Sequence, residues 1–556
     1  MSAAGEIVVV EPTPTAAAPS RWQQAWQVVE KRLIALADRA NPILVKETRQ
    51  ALKSRQFVVT FLVVLVACWM VSFAGVALVG PQIYYAAVGA EMLVAYYAIL
   101  AFPLALIVPF TAFRSLAAEQ EENTYDLLSI TTLSSRQIVT GKLLSAVLQM
   151  LVYLSAVSPC IAFTFLLRGV DALTTAVLLA MAVLGSLGLS VFGLLVGAMA
   201  RARHTQVVIS VGLVLGLAGA FAGAVAMALA ILEEGSGFLR QSEFWIVTVG
   251  LLTIYVTTMG LLHSAAAAQI AFVSENRSTP LRRWMMVQQA CLCGALAAFA
   301  YAVDPGGNHH AEMILLAGWF AAGYWYVMGS LMTSEWPHLS RRVQRSLPQS
   351  QLGRTFLSLF NPGPGAGYLF ATANLTALTT AGIIAIAMRW IWAPAPSTFP
   401  STIAMSSLLI AWGYVVAYVG VGRLLINALR RWVYVPMSGG FLVHAIILLT
   451  GIGVPTVMQM TSRQLRYGGY SLVHMSNPFW TLLELVNRRG STVQVEVLIL
   501  VIPAIALAVL MLNIRSVAAE LLHHRIAPPI RVAEEEAALR PAPAPKPASP
   551  WESAEA

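Results

Sequence analysis

Twelve apolar runs, each long enough to cross a bilayer as a helix, are strung along this chain with polar stretches between them. They extend over Phe57 to Val79, Met92 to Phe113, Leu143 to Leu167, Leu173 to Met199, Val207 to Leu232, Phe244 to Val273, Met285 to Val303, Met313 to Met332, Leu375 to Trp392, Ile403 to Val421, Gly440 to Val457 and Val495 to Leu512. A hydrocarbon layer about 30 Å thick takes roughly 20 residues of helix, which matches the length of these runs. The expected fold is therefore all-α: a polytopic transmembrane bundle of about 12 spans, preceded by N-terminal interfacial and elbow helices. The spans group as 57–273 and 274–512, six in each; a duplication would explain this, but no residue-level repeat accompanies it.

Outside the spans the pattern changes. Residues 1–20 and 513–556 are tails rich in Pro and Ala, the second holding Glu534-Glu535-Glu536 and Pro541 to Pro545, and disorder is expected in both. Within 21–56, Trp22, Trp26, Val29, Leu33 and Leu36 recur at spacings of four and three, the pattern of a helix lying in the membrane interface. Asn41-Pro42 should end that helix and start the elbow helix, because Asn caps helix N-termini and Pro suits the first helical position. Farther along, Gly363-Pro364-Gly365-Ala366-Gly367 reads as a bend at a membrane boundary. The long outer loop Met458 to Gly490, with Asn477-Pro478-Phe479-Trp480, reads as holding a short amphipathic helix. Gly185, Gly188, Gly193, Gly197, Gly212, Gly216 and Gly219 in spans four and five predict close helix approach, including Gly193-x-x-x-Gly197.

The most informative interruption is the polar loop 114–142 between spans two and three. Glu121, Glu122 and Asp126 sit near the start of a short helix, where acidic groups complement the helix dipole. Leu127, Leu128 and Ile130 give that helix an apolar face that water alone would not retain. The stretch Thr131 to Ser135 should end it. Ser134-x-x-Gln137 is a capping-box signature for span three, and Gly141-Lys142 stands at the membrane boundary. An ordinary capped loop would share this spacing, and only the apolar face asks for a partner.

Composition sharpens this picture: 58% of residues are apolar and 11% charged, as a membrane protein requires. With the N-terminus inside, 28 of the 35 Lys and Arg residues fall on inner segments, which puts both termini and loop 114–142 in the cytoplasm. Anionic lipid on that side accounts for the net charge of +9, so no nucleic-acid partner is expected. Cys68, Cys160, Cys291 and Cys293 all lie in apolar runs, and no His-Glu-x-x-His occurs; neither a metal site nor a catalytic set is expected. Only His444 and Glu496 place ionisable groups deeper in spans, which is sparse for a proton-coupled carrier.

The loop resembles the cytoplasmic coupling loop of ATP-binding-cassette exporter permeases of the second exporter class. The matching residues are Glu122, Thr124, Asp126, Leu127, Leu128, Thr131, Thr132, Ser134, Gly141 and Lys142, whereas Asn123 replaces a Gly of the family pattern and Leu133 a Pro. Asn41-Pro42-Ile43-Leu44 with Glu47 and Arg49 is similar to the elbow helix of the same permeases. The resemblance covers the first six spans and implies an ATPase-coupling role for Glu121, Glu122, Asn123, Thr124, Tyr125, Asp126, Leu127, Leu128, Thr131, Arg136, Gly141 and Lys142. It also implies a separate cytoplasmic ATPase partner, a dimer carrying ATP and Mg, and location in a bacterial plasma membrane. A second copy of this chain or a second permease would be a further partner. No cofactor is expected on this chain, since Gly141-Lys142 lacks the upstream Gly of a phosphate-cradling loop. The alternatives are a twelve-span secondary carrier driven by an ion gradient and a membrane scaffold.

Overall fold

The computed structural model describes residues 41–539 apart from 81–87, 122–132, 168, 201–202, 236, 273, 305, 307, 337–338, 346, 348–349, 393–398, 464, 466–469, 488–492 and 523–529. The interfacial helix expected before residue 41 and the tails 1–20 and 540–556 lie outside these residues. Among the described residues all regular structure is helical, and 12 helices are long and apolar enough to span a membrane. Each coincides with one of the twelve apolar runs, so the fold is an all-α polytopic bundle. The helices overrun the apolar windows, as at Ser135–Leu166 and Ser401–Leu429, because polar turns continue them beyond the hydrocarbon.

The chain divides into two compact units, Met1–Ser236 and Gly237–Ala556. The boundary falls one span before the expected division at 273, since the sixth span packs along the seventh. Gln288 donates to Thr258 at 2.8 Å across that pair, and Gly260 admits the Trp284 ring.

The first unit begins with α1 (Pro42–Lys53), the helix expected from the sequence as an elbow. Asn41 caps it by accepting the Ile43 N–H at 3.1 Å, with Pro42 in the first turn, as the sequence predicts. Ser54 then caps α2 (Arg55–Val79), the first span, through the Phe57 N–H. The second span is interrupted: α3 (Gly89–Phe102) passes through a π-turn at Pro103–Ile107 into α4 (Val108–Glu121). Pro103 has no N–H to continue the helical ladder. The Leu104 carbonyl in this turn accepts from Ser186 at 2.5 Å. Spans three to five are α5 (Ser135–Leu166), α6 (Ala172–Met199) and α7 (Arg203–Glu234). Gly193 and Gly197 let α6 approach α4 so closely that a Cβ on either would lie 2.7 Å from the Pro109 or Phe113 carbonyl oxygen. Gly185, Gly212, Gly216 and Gly219 have no such neighbour within 4 Å, so the expected close approach does not extend to these four.

The second unit contains α8 (Ser242–Ile270), α9 (Ser278–Val303), α10 (His310–Thr333), the short α11 (Arg341–Arg345) and α12 (Gln351–Ser358), then α13 (Pro364–Trp392), α14 (Ser401–Leu429), α15 (Met437–Thr461), α16 (Pro478–Asn487), α17 (Val493–Leu522) and α18 (Ile530–Leu539). Its core joins Trp325, Tyr368, Phe370, Val416 and Val419 from α10, α13 and α14. The expected glycine bend is confined to Gly363, whose φ of 141° suits glycine; Gly365 and Gly367 belong to α13. A Cβ on Gly367 would come 2.6 Å from Met332, so that glycine sets the approach of α13 to α10. The disorder expected from 513 onward is corrected: α17 runs through to Leu522, because Asn513 is fully buried and donates to the Gly420 carbonyl at 3.3 Å. Glu534, Glu535 and Glu536 lie in α18, where Ala and Glu favour helix.

Candidate functional site

Residues 122–132 follow one helical stem, α4, and precede another, α5, and the N-terminal helix α1 ties the two stems together. The joint is Lys142, in the second turn of α5, with only 1% of its side chain exposed. Its ammonium donates to Glu47 Oε1 of α1 at 3.0 Å, to Glu119 Oε1 of α4 at 2.9 Å and to the Ser115 carbonyl oxygen of α4 at 3.0 Å. An ammonium has three N–H donors, and all three are used. The two carboxylates are 13% and 12% exposed, so one buried cation faces two largely desolvated anions, while Lys46 Nζ, itself 54% exposed, stands at the rim 4.0 Å from Glu119.

A second contact lies one turn closer to the loop. Asn41 Nδ2 donates to the Gln137 carbonyl oxygen at 2.5 Å, while the Gln137 side chain closes the capping box with Ser134. The residue that starts the elbow helix therefore also holds the residue that starts span three. Gly141 completes the fit: a Cβ there would lie 3.0 Å from Asn41 Nδ2 and from Ile43 Cβ.

Of the residues singled out in the sequence, Asn41 and Glu47 of the elbow and Gly141 and Lys142 of the coupling set come together in this joint. Glu121, Arg136, Pro42 and Arg49 are exposed around it. Glu122, Asn123, Thr124, Tyr125, Asp126, Leu127, Leu128 and Thr131 lie outside the described residues. Gly141 and Lys142 are buried against the elbow, so they position the stems and present no surface to a soluble partner. Glu119 and Ser115 were missed by sequence reasoning; the four-residue spacing of Ser115 and Glu119 on the last turns of α4 was the only local signal.

The second unit holds a joint of similar chemistry. Arg282, 1% exposed in the first turns of α9, donates to Glu335 Oε2 at 2.8 Å and to the carbonyl oxygens of Leu359 and Asn361 at 2.6 and 2.7 Å. Glu335 also accepts from Ser278 Oγ at 2.7 Å and from the Gly363 N–H at 2.8 Å. The glycine segment is thus the wall of a buried ion pair, and it cradles a carboxylate.

Inside the spans, His444 is fully buried and its Nε2 lies 2.8 Å from Thr333 Oγ1. Arg423, 1% exposed, donates to Asn513 Oδ1 at 2.9 Å within the bundle. The Glu496 side chain is outside the described set. Beyond the spans, the expected amphipathic helix of the outer loop is α16, capped by Asn477, whose Oδ1 accepts from Trp480 N–H at 3.1 Å. Tyr470 and Tyr414 both reach Thr481 there, at 2.8 and 2.9 Å. Burial pushes the Tyr470 phenol above its ordinary value, an effect opposed by the Thr481 hydrogen bond and reinforced by the nearby Glu484 carboxylate. No protein-family model, curated protein or solved structure matches the chain.

Proposed function

We infer that this chain is the membrane-spanning permease of an ATP-binding-cassette transporter, of the exporter type, which moves its substrate across a bacterial plasma membrane with ATP hydrolysed by a separate ATPase. The observation that supports this reading most is the three-way anchorage of Lys142. A loop that receives force must hand it to rigid elements. Here a displacement of loop 122–132 reaches α4 and α5 at once, and the buried ion pairs pass it to the elbow helix without slack. The coupling residues divide accordingly. Leu127 and Leu128 would dock on the ATPase, Glu121, Glu122, Asp126 and Arg136 would pair with its charges, and Asn41, Glu47, Gly141 and Lys142 would transmit. ATP and Mg would be held by the partner.

Isolation of the tagged protein from its native membrane in mild detergent tests the reading. A soluble ATPase should copurify near stoichiometrically and be lost when Asp126→Ala and Leu127→Ala are combined, with the permease itself still folded. Intact protein that carries no ATPase would count against it.

The second reading, a gradient-driven carrier, draws on the polar groups buried inside spans of the second unit, Arg423, Asn513 and His444. Ionisable groups buried at that depth are costly and often line an ion or substrate path. It predicts flux in vesicles that hold this chain alone under an imposed ion gradient.

A further inference from the structure

Next to the Arg282 joint the second unit has a cavity of about 400 Å³, within the range of small-ligand sites. Its lining is part polar, from Asn276, Thr279, Arg283 and Asn361, and part apolar, from Leu347, Leu357 and Phe360. The polar part is built. Asn276 Nδ2 donates to Asn361 Oδ1 at 3.0 Å, its Oδ1 accepts the Thr279 N–H at 3.1 Å, and Thr279 Oγ1 donates to the Phe360 carbonyl at 2.8 Å.

Two adjacent arginines have opposite fates here. Arg282 is buried and neutralised by Glu335, whereas Arg283 is exposed and takes part in no hydrogen bond or ion pair among the described residues. Two acids of this region are engaged elsewhere: Glu335 is committed to Arg282, Ser278 and Gly363, and Glu275 stands 3.9 Å from Arg342. Arg341, Arg342 and Arg345, all exposed, precede Leu347 in the chain and add positive charge to this segment. The cavity also sits at the water end of a span, since α9 begins its membrane-length run at Ser278. Beside it, α12 presents Phe356 at 68% and Leu357 at 48% exposure, apolar surface that a bilayer would cover.

We propose that this cavity holds the headgroup of an anionic phospholipid, with Arg283 contacting the phosphate and Leu357 and Phe360 contacting the glycerol and first acyl carbons. An unpaired cation explains the preference for an anion, and the apolar lining explains the preference for a lipid over a free ion. The site is independent of the ATPase reading.

Native mass spectrometry of the full chain, equilibrated in mild detergent with phosphatidylglycerol or with phosphatidylcholine of the same acyl chains, tests it. The wild type should retain phosphatidylglycerol in preference. Arg283→Gln should cut that retention about fivefold, the worth of one arginine against anionic lipid, and leave phosphatidylcholine unchanged. Arg431→Gln, which removes an exposed arginine elsewhere in the same unit, should change neither. Arg283 has no protein partner among the described residues, so the variant should keep the wild-type thermal midpoint, and Arg283→Lys should restore much of the binding. Equal retention of the two lipids, or undiminished phosphatidylglycerol on Arg283→Gln, would overturn the proposal. Displacement of phosphatidylglycerol by millimolar inorganic phosphate would overturn the lipid assignment in favour of a free anion.

Discussion

Replacing Lys142 by Met keeps the length of the side chain and removes its charge, which leaves Glu47 and Glu119 facing each other across a buried joint. In the wild type the ammonium makes three contacts between 2.9 and 3.0 Å with 1% of its side chain exposed. Breaking a buried ion pair by deleting one partner costs about 3–5 kcal/mol, most of it the stranding of the charge left behind. The stranded carboxylates are 13% and 12% exposed, so some water reaches them and the lower figure applies. A loss of about 3 kcal/mol is roughly a hundredfold in the unfolding equilibrium. Thermal unfolding of the purified protein in mild detergent should show a midpoint several degrees below wild type. The compensated variant, Lys142→Met with Glu47→Gln and Glu119→Gln, removes the stranded charges and should recover most of the loss. A Lys142→Met protein that melts with wild type would refute the reasoning. So would a triple variant no more stable than the single one, because the cost would then not be electrostatic.

Asn41→Ala removes both a helix cap and the contact to Gln137, and should lower stability by about 1 kcal/mol or somewhat more in the same assay. Gly197→Val drives a side chain toward the Phe113 carbonyl, which a Cβ would already approach to 2.7 Å; it should cost roughly 1–3 kcal/mol, while Gly216→Ala, with open space around it, should cost nothing measurable. Glu335→Gln strips the counter-charge from Arg282 and should destabilise the second unit by about 3 kcal/mol, read as increased proteolysis within 237–539. The Tyr470 phenol is held above its ordinary value, so the unfolded chain deprotonates first as pH rises. Its contribution is therefore complete below the usual tyrosine range and falls away as pH climbs through the folded value, and Tyr470→Phe should flatten that alkaline decline in the thermal midpoint.

The twelve spans were legible because bilayer thickness imposes a length on apolar runs that needs no tertiary information. Caps were legible for the same local reason: Asn41 and Ser134 act on residues two or three positions away. What the pattern hid was long-range. Lys142 and Glu47 are 95 residues apart, and nothing in either segment alone says that the lysine is buried. Arg282 and Arg423 read as loop cations because the apolar windows end near them, yet the helices continue and Glu335 and Asn513 satisfy them inside. Gly193 and Gly216 look alike in sequence, and only the neighbouring helix distinguishes packing from open space. In the candidate site, the resemblance marked Asn41 and Glu47 for the elbow and Gly141 and Lys142 for the coupling loop as two separate groups, and only the fold brings them into contact.

The central claim is that loop 122–132 is the contact for an ATPase. A photo-crosslinking amino acid placed at Leu127, with a control at exposed Arg49 on the elbow, tests it in native membranes. The account predicts a light-dependent adduct from position 127 to a soluble nucleotide-binding protein, weakened when Asp126→Ala is added and absent from position 49. Adducts from position 127 only to lipid or to this chain itself, under the same illumination, would contradict it.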